Sequence, residues 1–472
     1  MKLRGIGRLK VGLAVLTVSA VMAQPSWSET LADALVGAYN HSGLLEQNRA
    51  LLRAADEDVA SASASLLPII NWTADISRTF GDSASASTGF ASRDIGNTEA
   101  SVGLTAQLQL YDSGADRARI EAEKENVLAT RAGLTSVEQQ ILLRAVRAFM
   151  NVIRAVENVA LRENNVRLLT EELRAAQDRF DVGEVTRTDV ALAESALAEA
   201  RSGLAAAQGD LLQAQEEYRN AVGRRPGSLT APRALPRAPS DLAGNKSLAY
   251  RSSPDLAQAQ RLVSAAELNI IAAEADMNPI VTLDGSLTAR EDLDDEGFTR
   301  SGSVGIGVSG PIYRGGSLSS VARRAIANRD AQRSNLHQVR HNVEQAVGNA
   351  YADLLASRAQ LEASERQIRA ARIAFQGVRE EATLGARTTL DVLDAEQELL
   401  DAQANRIAAQ ADLYISAYEL LEATGQLTAE RLGLPVQTYD PAAYYNLVKD
   451  GVAKRSRQGQ QLDRVLKSLQ KN

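Results

Sequence analysis

Residues 183–223 read GEVTRTDVALAESALAEARSGLAAAQGDLLQAQEEYRNAVG, and residues 385–425 read GARTTLDVLDAEQELLDAQANRIAAQADLYISAYELLEATG. The two stretches align without a gap at a constant offset of 202, and sixteen of the forty-one pairs are identical. Matched glycines and aspartates, such as Gly183 with Gly385, are harder to obtain by chance than matched alanines. The chain is therefore predicted to contain two equivalent structural units.

The segment before each of these stretches predicts one long helix. No proline occurs between Ser113 and Phe180, and apolar residues recur every three or four positions. A helix over residues 113–180 would extend about 100 Å, roughly three times the thickness of a hydrocarbon core. The repeat predicts a second long helix at residues 317–382. Helices of this length form rods, coiled coils or tubes more often than compact domains.

A glycine turn and a return helix follow each long helix. Gly183 and Gly385 suit the left-handed position that ends a helix. Two Thr/Asp pairs then have the spacing of a capping box, Thr186 with Asp189 and Thr388 with Asp391. The return helices are predicted at residues 188–222 and 389–424. The sequence thus predicts two helical hairpins with nearly identical tips.

The N-terminus and the composition limit the possible classes of protein. A basic start, an apolar run and small residues at positions 21–23 predict a signal peptide at residues 1–23. The chain contains no cysteine, which excludes disulfides and thiolate metal sites. The net charge is −7, with basic and acidic residues interleaved, so no nucleic-acid partner is expected.

Four segments between the helices alternate apolar and polar residues, as in Ile70, Trp72 and Ile76. This period of two predicts strand hairpins at about residues 69–111 and 280–312. A half-buried sheet on a soluble core would give the same pattern. The export signal and strand lengths near the roughly 9–11 residues that cross a bilayer favour a membrane barrel. Four strands cannot close a channel, and lipid does not tolerate free sheet edges, so other copies of the chain must complete it.

The predicted organisation has two repeats joined by a connector. The predicted segments are residues 24–225 (first repeat), 226–240 (Pro-rich connector), 241–427 (second repeat) and 428–472 (equatorial segment and polar tail). Beyond Tyr439 the chain is polar and basic, and we expect it to be loosely ordered.

Four short motifs occur in the order Thr30–Leu35 (TLADAL), Leu66–Pro68 (LLP), Pro311–Gly316 (PIYRGG) and Gly385–Glu396 (GARTTLDVLDAE). With this order, the chain resembles the TolC-type outer-membrane channel-tunnel proteins over nearly its whole mature length. The resemblance implies a mainly α-helical chain with a membrane β-barrel part. It implies a homotrimer in which each chain gives four strands to a twelve-stranded barrel in outer-membrane lipid, and in which the helical hairpins form an α-barrel through the periplasm.

The resemblance also implies a function. The trimer would be a passive conduit for efflux or type I secretion, driven by an inner-membrane transporter through a periplasmic adaptor protein. No enzymatic activity, cofactor or metal is expected. The rival interpretation is a structural periplasmic coiled-coil rod or adhesin, which would share the helices but need no amphipathic strands.

The resemblance places the periplasmic entrance at the hairpin tips. The expected gate residues are Thr188, Asp189, Arg387, Asp391 and Asp394. Arg387 would hold the entrance closed by pairing with Thr188 and Asp189 of the neighbouring hairpin, and the aspartates of the second hairpin would form acidic rings in the lumen. Capping alone would also explain Asp189 and Asp391. The residues expected to contact the adaptor are Gly183, Val185, Thr186, Gly385, Ala386, Thr388 and Leu390.

One departure and three weak motifs remain. Ala382 stands where the family commonly has a tyrosine of the closing network. His337 and His341 have the i, i+4 spacing of zinc ligands, but no third ligand is evident. Residues 305–310 fit G-x-G-x-x-G within an alternating strand, which argues against a dinucleotide site. The acidic residues 291–296 predict a solvated loop, with calcium binding as the alternative.

Overall fold

The computed structural model describes residues 29–449 and 456–469. The predicted signal peptide, residues 1–23, lies outside these ranges. The described helices are α1 Leu31–His41, α2 Gly43–Ser63, α3 Ala115–Asp181, α4 Arg187–Val222, α5 Leu242–Ser252, α6 Pro254–Ala275, α7 Ser317–Thr383, α8 Thr389–Ala423, α9 Pro441–Val448 and α10 Arg457–Leu469. The described strands are β1 Ile69–Ser83, β2 Arg93–Tyr111, β3 Ile280–Asp292 and β4 Phe298–Ser309.

The internal repeat is visible in the lengths of the helices. Helices α3 and α7 each contain 67 residues, and each begins and ends one repeat offset from the other. The return helices α4 and α8 contain 36 and 35 residues. The two predicted hairpins are therefore confirmed, with boundaries within two residues of the predicted ones.

Each long helix changes its packing partners along its length. Near the tips, α3 packs on α4 and α7 packs on α8. Towards the strands, α2 and α6 pack on α3, and α6 also packs on α7. Within residues 29–449 and 456–469, no helix carries an apolar stretch that would span a lipid bilayer.

The largest core lies where α1, α3, α4 and α8 meet. Phe149 and Tyr218 are fully buried there, and their ring centroids lie 6.5 Å apart. The hydroxyl of Tyr218 donates a hydrogen bond to the carboxylate of Glu29, which also accepts from Arg224. Burial is the main cause that raises the pKa of Tyr218. This network fixes the segment that precedes α1 to the end of α4.

The four strands form one antiparallel sheet in the order β1-β2-β3-β4. The register aligns Trp72 with Leu104 and Leu104 with Leu287, so the apolar positions form one continuous face. That face is exposed: Val304 is 83% and Ile306 69% accessible. The opposite face carries the polar positions and hydrogen bonds such as that between the hydroxyls of Ser286 and Ser303, 2.8 Å apart. The predicted separation into two faces is confirmed.

The strands are longer than the alternating segments suggested. β2 contains 19 residues and β1 contains 15. Both continue past the alternating segments towards the turn at 84–92, where the sequence contains many small and polar residues.

The segment beyond Tyr439 corrects one expectation. We expected loose order, but Pro441–Val448 forms α9, which packs on α2. Tyr444 and Val448 are buried against Ala60, and Tyr444 donates a hydrogen bond to Glu57. Asp440 caps the helix and Pro441 occupies its first turn, so local signals start a helix whose two apolar residues reach the core. Because the tail is polar on average, its composition did not indicate that Tyr444 and Val448 would be buried.

Candidate entrance formed by the two hairpin tips

The first tip reverses the chain at a left-handed glycine. Gly183 has φ 82°, and its N–H donates to the carbonyl of Phe180 at 2.9 Å. The next N–H, of Glu184, donates to the carbonyl of Arg179, also at 2.9 Å. These bonds satisfy carbonyls that the end of α3 would otherwise leave free.

The second tip repeats this geometry. Gly385 has φ 78°, and its N–H donates to the carbonyl of Ala382 at 3.1 Å. The N–H of Ala386 donates to the backbone carbonyl of Glu381 at 2.9 Å. The left-handed conformation predicted for both turn glycines is confirmed. An L-residue with a side chain would be strained at either position.

Both return helices begin with a full capping box, as predicted. The backbone N–H of Thr186 donates to Asp189 Oδ2 at 2.9 Å, and the N–H of Asp189 donates to Thr186 Oγ1 at 3.3 Å. The corresponding distances for Thr388 and Asp391 are 2.9 Å and 3.2 Å. Two orphan donors are therefore satisfied at each helix start.

The capping bonds hold both carboxylates in the charged form. The side-chain hydrogen bond from Thr186 is the largest cause that lowers the pKa of Asp189, and Thr389 of the other hairpin contributes a smaller lowering. The backbone hydrogen bond from Thr388 is the largest cause that lowers the pKa of Asp391, and nearby Arg387 contributes as well. Near the tips the two hairpins lie side by side, since Leu393 of α8 packs against Leu169 of α3 and Leu197 of α4.

Arg387 is bonded within its own hairpin. Its Nε donates to Glu381 Oε2 at 2.8 Å, and both side chains are about half exposed, at 49% and 52%. Thr188 is exposed and Asp189 is engaged in its capping box. Glu381 was not predicted as a partner, because the approach of residues six apart depends on the turn geometry. The pairing of Arg387 with Thr188 and Asp189 of a neighbouring hairpin stays a prediction.

Asp394 lies one turn beyond Asp391 on α8 and is exposed. Its neighbours Val392 and Ala395 are buried against Phe375 of α7. The Asp394 side chain therefore lies off the packed face of the hairpin and has no hydrogen-bond or ion-pair partner within the described ranges.

The end of each tip exposes apolar side chains that the sequence analysis missed. Val182 is 71% and Leu384 is 85% accessible, and the two occupy equivalent repeat positions. Leu390, which was predicted, is 47% accessible. The sequence contained a signal for these exposed side chains, since Val182 and Leu384 each directly precede a turn glycine. Of the other predicted contact residues, Val185 is half-buried and the rest are exposed: Gly183, Thr186, Gly385, Ala386 and Thr388.

A buried carboxylate joins the two hairpins above the tips. Glu396 of α8 is 4% exposed and accepts a hydrogen bond from the Asn165 amide of α3 at 2.8 Å. Its Oε2 atom has no hydrogen-bond partner in the described part of the chain. Burial raises the pKa of Glu396 to about 7. The matched Glu194/Glu396 pair in the repeat was the available signal, but its role depends on contacts between distant segments.

The glycine-rich and acidic sequence motifs are parts of regular strand and turn structure. The glycines of residues 305–310 lie in or directly after β4. In the acidic loop, Asp292 accepts hydrogen bonds from the N–H groups of Asp294 and Asp295, so its carboxylate shapes the turn. No group of three or more His, Cys, Asp or Glu residues in the described ranges is arranged to hold a metal ion.

Comparison with known proteins matches both repeats. The family model for outer membrane efflux proteins matches residues 36–224 and 246–426. The chain is 37% identical over 446 residues to the outer membrane efflux protein BepC of Brucella suis biovar 1 (strain 1330), covering 93% of this chain and 95% of the relative. It is 26% identical over 431 residues to the outer membrane protein TolC of Vibrio cholerae serotype O1, covering 89% and 96%.

Solved structures support the same fold. The outer membrane channel CmeC of Campylobacter jejuni superposes with a TM-score of 0.75 at 16% identity, covering 90% of both chains. At 16% identity, this likeness shows a shared fold. The family match over both repeats and the relative at 37% identity show that the chain belongs to the outer membrane efflux protein family. Members of this family are outer-membrane channels, not enzymes, and they extend into the periplasm.

Proposed function

We propose that three copies of this chain form one exit channel across the outer membrane and the periplasm. Each chain contributes its four strands to a twelve-stranded barrel, and the paired hairpins continue the pore as a helical tube. The channel is a passive conduit for efflux or type I secretion, and an inner-membrane transporter supplies the energy through a periplasmic adaptor.

The sheet is the observation that carries this proposal. Its apolar face is exposed, and in the described sheet β1 and β4 each pair on one side only. In lipid an unpaired backbone edge is costly, and closure with other strands removes that cost. Pairing β4 of one chain with β1 of the next satisfies both edges in every copy. The polar face then lines the water-filled lumen.

The tips supply the gate in this proposal. Asp391 and Asp394 form rings of carboxylates in the lumen and attract cations. Arg387 leaves Glu381 and pairs with Thr188 and Asp189 of the neighbouring hairpin when the entrance closes. Because the Arg387–Glu381 pair is exposed, it contributes little to stability, so Arg387 can exchange Glu381 for groups of the neighbouring hairpin at small cost.

The adaptor docks on the outer ends of the hairpins. This surface exposes three apolar side chains, those of Val182, Leu384 and Leu390. Exposed apolar patches are typical of protein–protein contact sites. The polar turn residues around them provide backbone hydrogen-bonding groups.

Electrophoresis and planar-bilayer recordings test the proposal. The mature protein in detergent should show heat-modifiable mobility and should insert into bilayers as an ion-conducting unit. A rod or adhesin would show neither property. Ile306→Arg places a charge on the apolar face and should prevent insertion, whereas Ser303→Arg, on the polar face of the same strand, should still insert. Equal insertion of both variants, or no conductance from the wild type, would refute the membrane barrel.

A further inference from the structure

The sheet continues into a layer of four helices. Helix α2 leads into β1, α3 follows β2, α6 leads into β3 and α7 follows β4. Within this layer α2 packs on α3, α3 on α6 and α6 on α7, while α9 packs on α2 from one side of the layer. A groove of about 780 Å³, which we call the basic groove, lies where the end of α2, the start of α3 and α9 meet.

One face of α3 forms the first wall of the basic groove. Arg117, Ile120, Glu121 and Lys124 line it, and their spacing of three and four residues places them on one side of the helix. Lys124 donates to Glu121 at 2.7 Å, so these two charges offset each other. The Arg117 side chain is exposed and has no ion-pair or hydrogen-bond partner within residues 29–449 and 456–469.

The remaining walls come from α9 and from the segment before β1. Tyr445 and Lys449 line the α9 side, and the exposed Lys449 side chain has no ion-pair partner in the part of the chain that the structure describes. Leu66 and Leu67 line the side nearest the sheet and are 43% and 47% accessible. With three cations and one carboxylate, the lining has a net charge of +2.

The basic groove lies at the level where the apolar sheet face ends. Leu67 stands two residues before β1, and Arg117 lies in the first turn of α3, six residues after the end of β2. At this end of the sheet, Ile70 of β1 and Val308 of β4 are 69% and 70% accessible on the apolar face. In a bilayer the polar headgroups lie directly beyond the apolar core, so the groove lies at headgroup level.

The cations of the basic groove are not required by the repeated fold. The offset of 202 converts Arg117 into Ser319 and Lys124 into Ile326. Helix α7 nevertheless has the same length as α3 and begins after the same kind of left-handed glycine. The second half of the chain therefore builds the same backbone without these two charges, which points to a separate role for the charges in the first half.

We propose that the basic groove binds an anionic glycerophospholipid of the periplasmic leaflet of the outer membrane. Arg117 and Lys449 hold the lipid phosphate, because a guanidinium and an ammonium are the side chains best suited to phosphate oxygens. The acyl chains pass Leu66 and Leu67 towards the apolar sheet face. This inference rests on the membrane barrel proposed above, with α9 on the outer side of the helical tube, and the site lies within a single chain.

An anionic lipid accounts for both kinds of lining. A free phosphate ion would use the cations and leave Leu66 and Leu67 in water, whereas a lipid covers them. A zwitterionic lipid carries a cation of its own, which the net charge of the groove disfavours. Basic pockets between helices at a membrane surface recognise acidic headgroups through the same combination of contacts.

Native mass spectrometry of the mature protein in a neutral detergent tests the site. The wild type is titrated with phosphatidylglycerol or with phosphatidylethanolamine, and it should retain phosphatidylglycerol preferentially, up to one molecule per chain. Arg117→Gln with Lys449→Gln should weaken phosphatidylglycerol binding about tenfold or more, because two charge-assisted contacts are lost. Arg117→Lys with Lys449→Arg keeps both charges and should retain most of the binding.

A second pair of arginines provides the matched control. Arg314 and Arg324 are exposed near the start of α7 and lie outside the basic groove. Arg314→Gln with Arg324→Gln removes the same charge at a similar level and should bind phosphatidylglycerol as the wild type does. Equal weakening by the two double glutamine variants would show a general attraction to acidic lipid and would overturn the site.

Two further measurements separate the remaining explanations. Excess inorganic phosphate should leave phosphatidylglycerol bound; complete displacement would mean that the groove takes a free anion. The lipid-free Arg117→Gln/Lys449→Gln variant should melt with the wild type, since both side chains are exposed, and only the wild type should gain thermal stability from phosphatidylglycerol. A wild type that conducts in bilayers without preferring phosphatidylglycerol refutes only the groove, whereas failure to insert refutes the proposed function.

Discussion

The first and second hairpins of this chain have the same backbone and different surfaces. They share the turn glycines, the Thr and Asp of the capping boxes, long helices of equal length and return helices that differ by one residue. They differ where side chains meet partners: Val185 in the first tip stands where the second has Arg387, and Glu194 is exposed where Glu396 is buried. The residues that fix the fold are the same in both copies. At the tip the residue itself differs, from Val185 to Arg387, whereas at the Glu194/Glu396 pair the residue is the same and only its burial differs.

The largest expected difference concerns the glycines that end the return helices. Gly223 and Gly425 have φ values of 87° and 73°. A Cβ at Gly425 would lie 2.2 Å from the carbonyl oxygen of Ser252, which is backbone, whereas at Gly223 it would meet the side chain of His41. Gly425→Ala should therefore destabilise the protein by more than about 3 kcal/mol, and Gly223→Ala by less, because a side chain can move aside.

Thermal unfolding in detergent measures this difference. Gly209→Ala on α4 is the control, since its added Cβ would meet nothing within 4 Å. That variant should be neutral or slightly more stable, by up to about 1 kcal/mol. Equal melting temperatures for Gly223→Ala and Gly425→Ala would mean that the two helix ends are equally rigid.

The buried carboxylate gives the second difference, which depends on pH. The pKa of Glu396 is raised from 4.5 to about 7, so its neutral form is favoured in the folded state. The associated stability is fully present below about pH 4.5 and is lost as the pH rises through about 7. Glu396→Gln resembles the neutral form. It should match the wild type at low pH and exceed its stability above pH 7 by about 1–3 kcal/mol.

Melting temperatures of Glu396→Gln and the wild type, measured between pH 4 and pH 8, test this pH dependence. Glu398→Gln, an exposed change on the same helix, is the matched control for the loss of one carboxylate from α8. A stability difference between Glu396→Gln and the wild type that stays constant over this range would show that Glu396 does not titrate there.

The capping boxes should show no difference between the halves. Thr186→Ala and Thr388→Ala each remove the same cap, and each should cost about 1 kcal/mol. Thr188→Ala lies in the same turn outside the cap and should cost much less. Clearly unequal effects for the two cap variants would show that the tips are not equivalent locally. Proteolytic nicking at the tips would detect the loss with more sensitivity than global unfolding.

The smallest expected effect on stability belongs to Arg387. Because its pair with Glu381 is exposed, Arg387→Glu should leave the melting temperature close to that of the wild type. The same variant should raise the resting conductance of single channels, since it replaces the proposed closing contact with repulsion. Arg387→Lys keeps the charge and should stay near the wild-type conductance. An unchanged conductance in Arg387→Glu would remove this residue from the gate.

The sequence was most informative where the structure is local. The glycine turns, the capping boxes and the two long helices follow from rules that act over a few residues, and all were predicted closely. The two faces of the sheet also follow from local alternation.

Contacts between distant segments were not predictable in the same way. The bond between Asn165 and Glu396 joins residues 231 positions apart, and no local pattern distinguishes Glu396 from the exposed Glu194. The helix at Pro441–Val448 was missed because two apolar residues in a polar tail become significant only when α2 lies beside them. The internal repeat partly overcomes this limit, because contacts seen in one half locate those expected in the other.

The mass of the purified mature protein in detergent tests the central claim most directly. The account predicts a particle of three chains that needs an amphiphile to stay in solution, because the sheet edges and its apolar face require closure and lipid. A monodisperse single chain that is stable in buffer without detergent would contradict it.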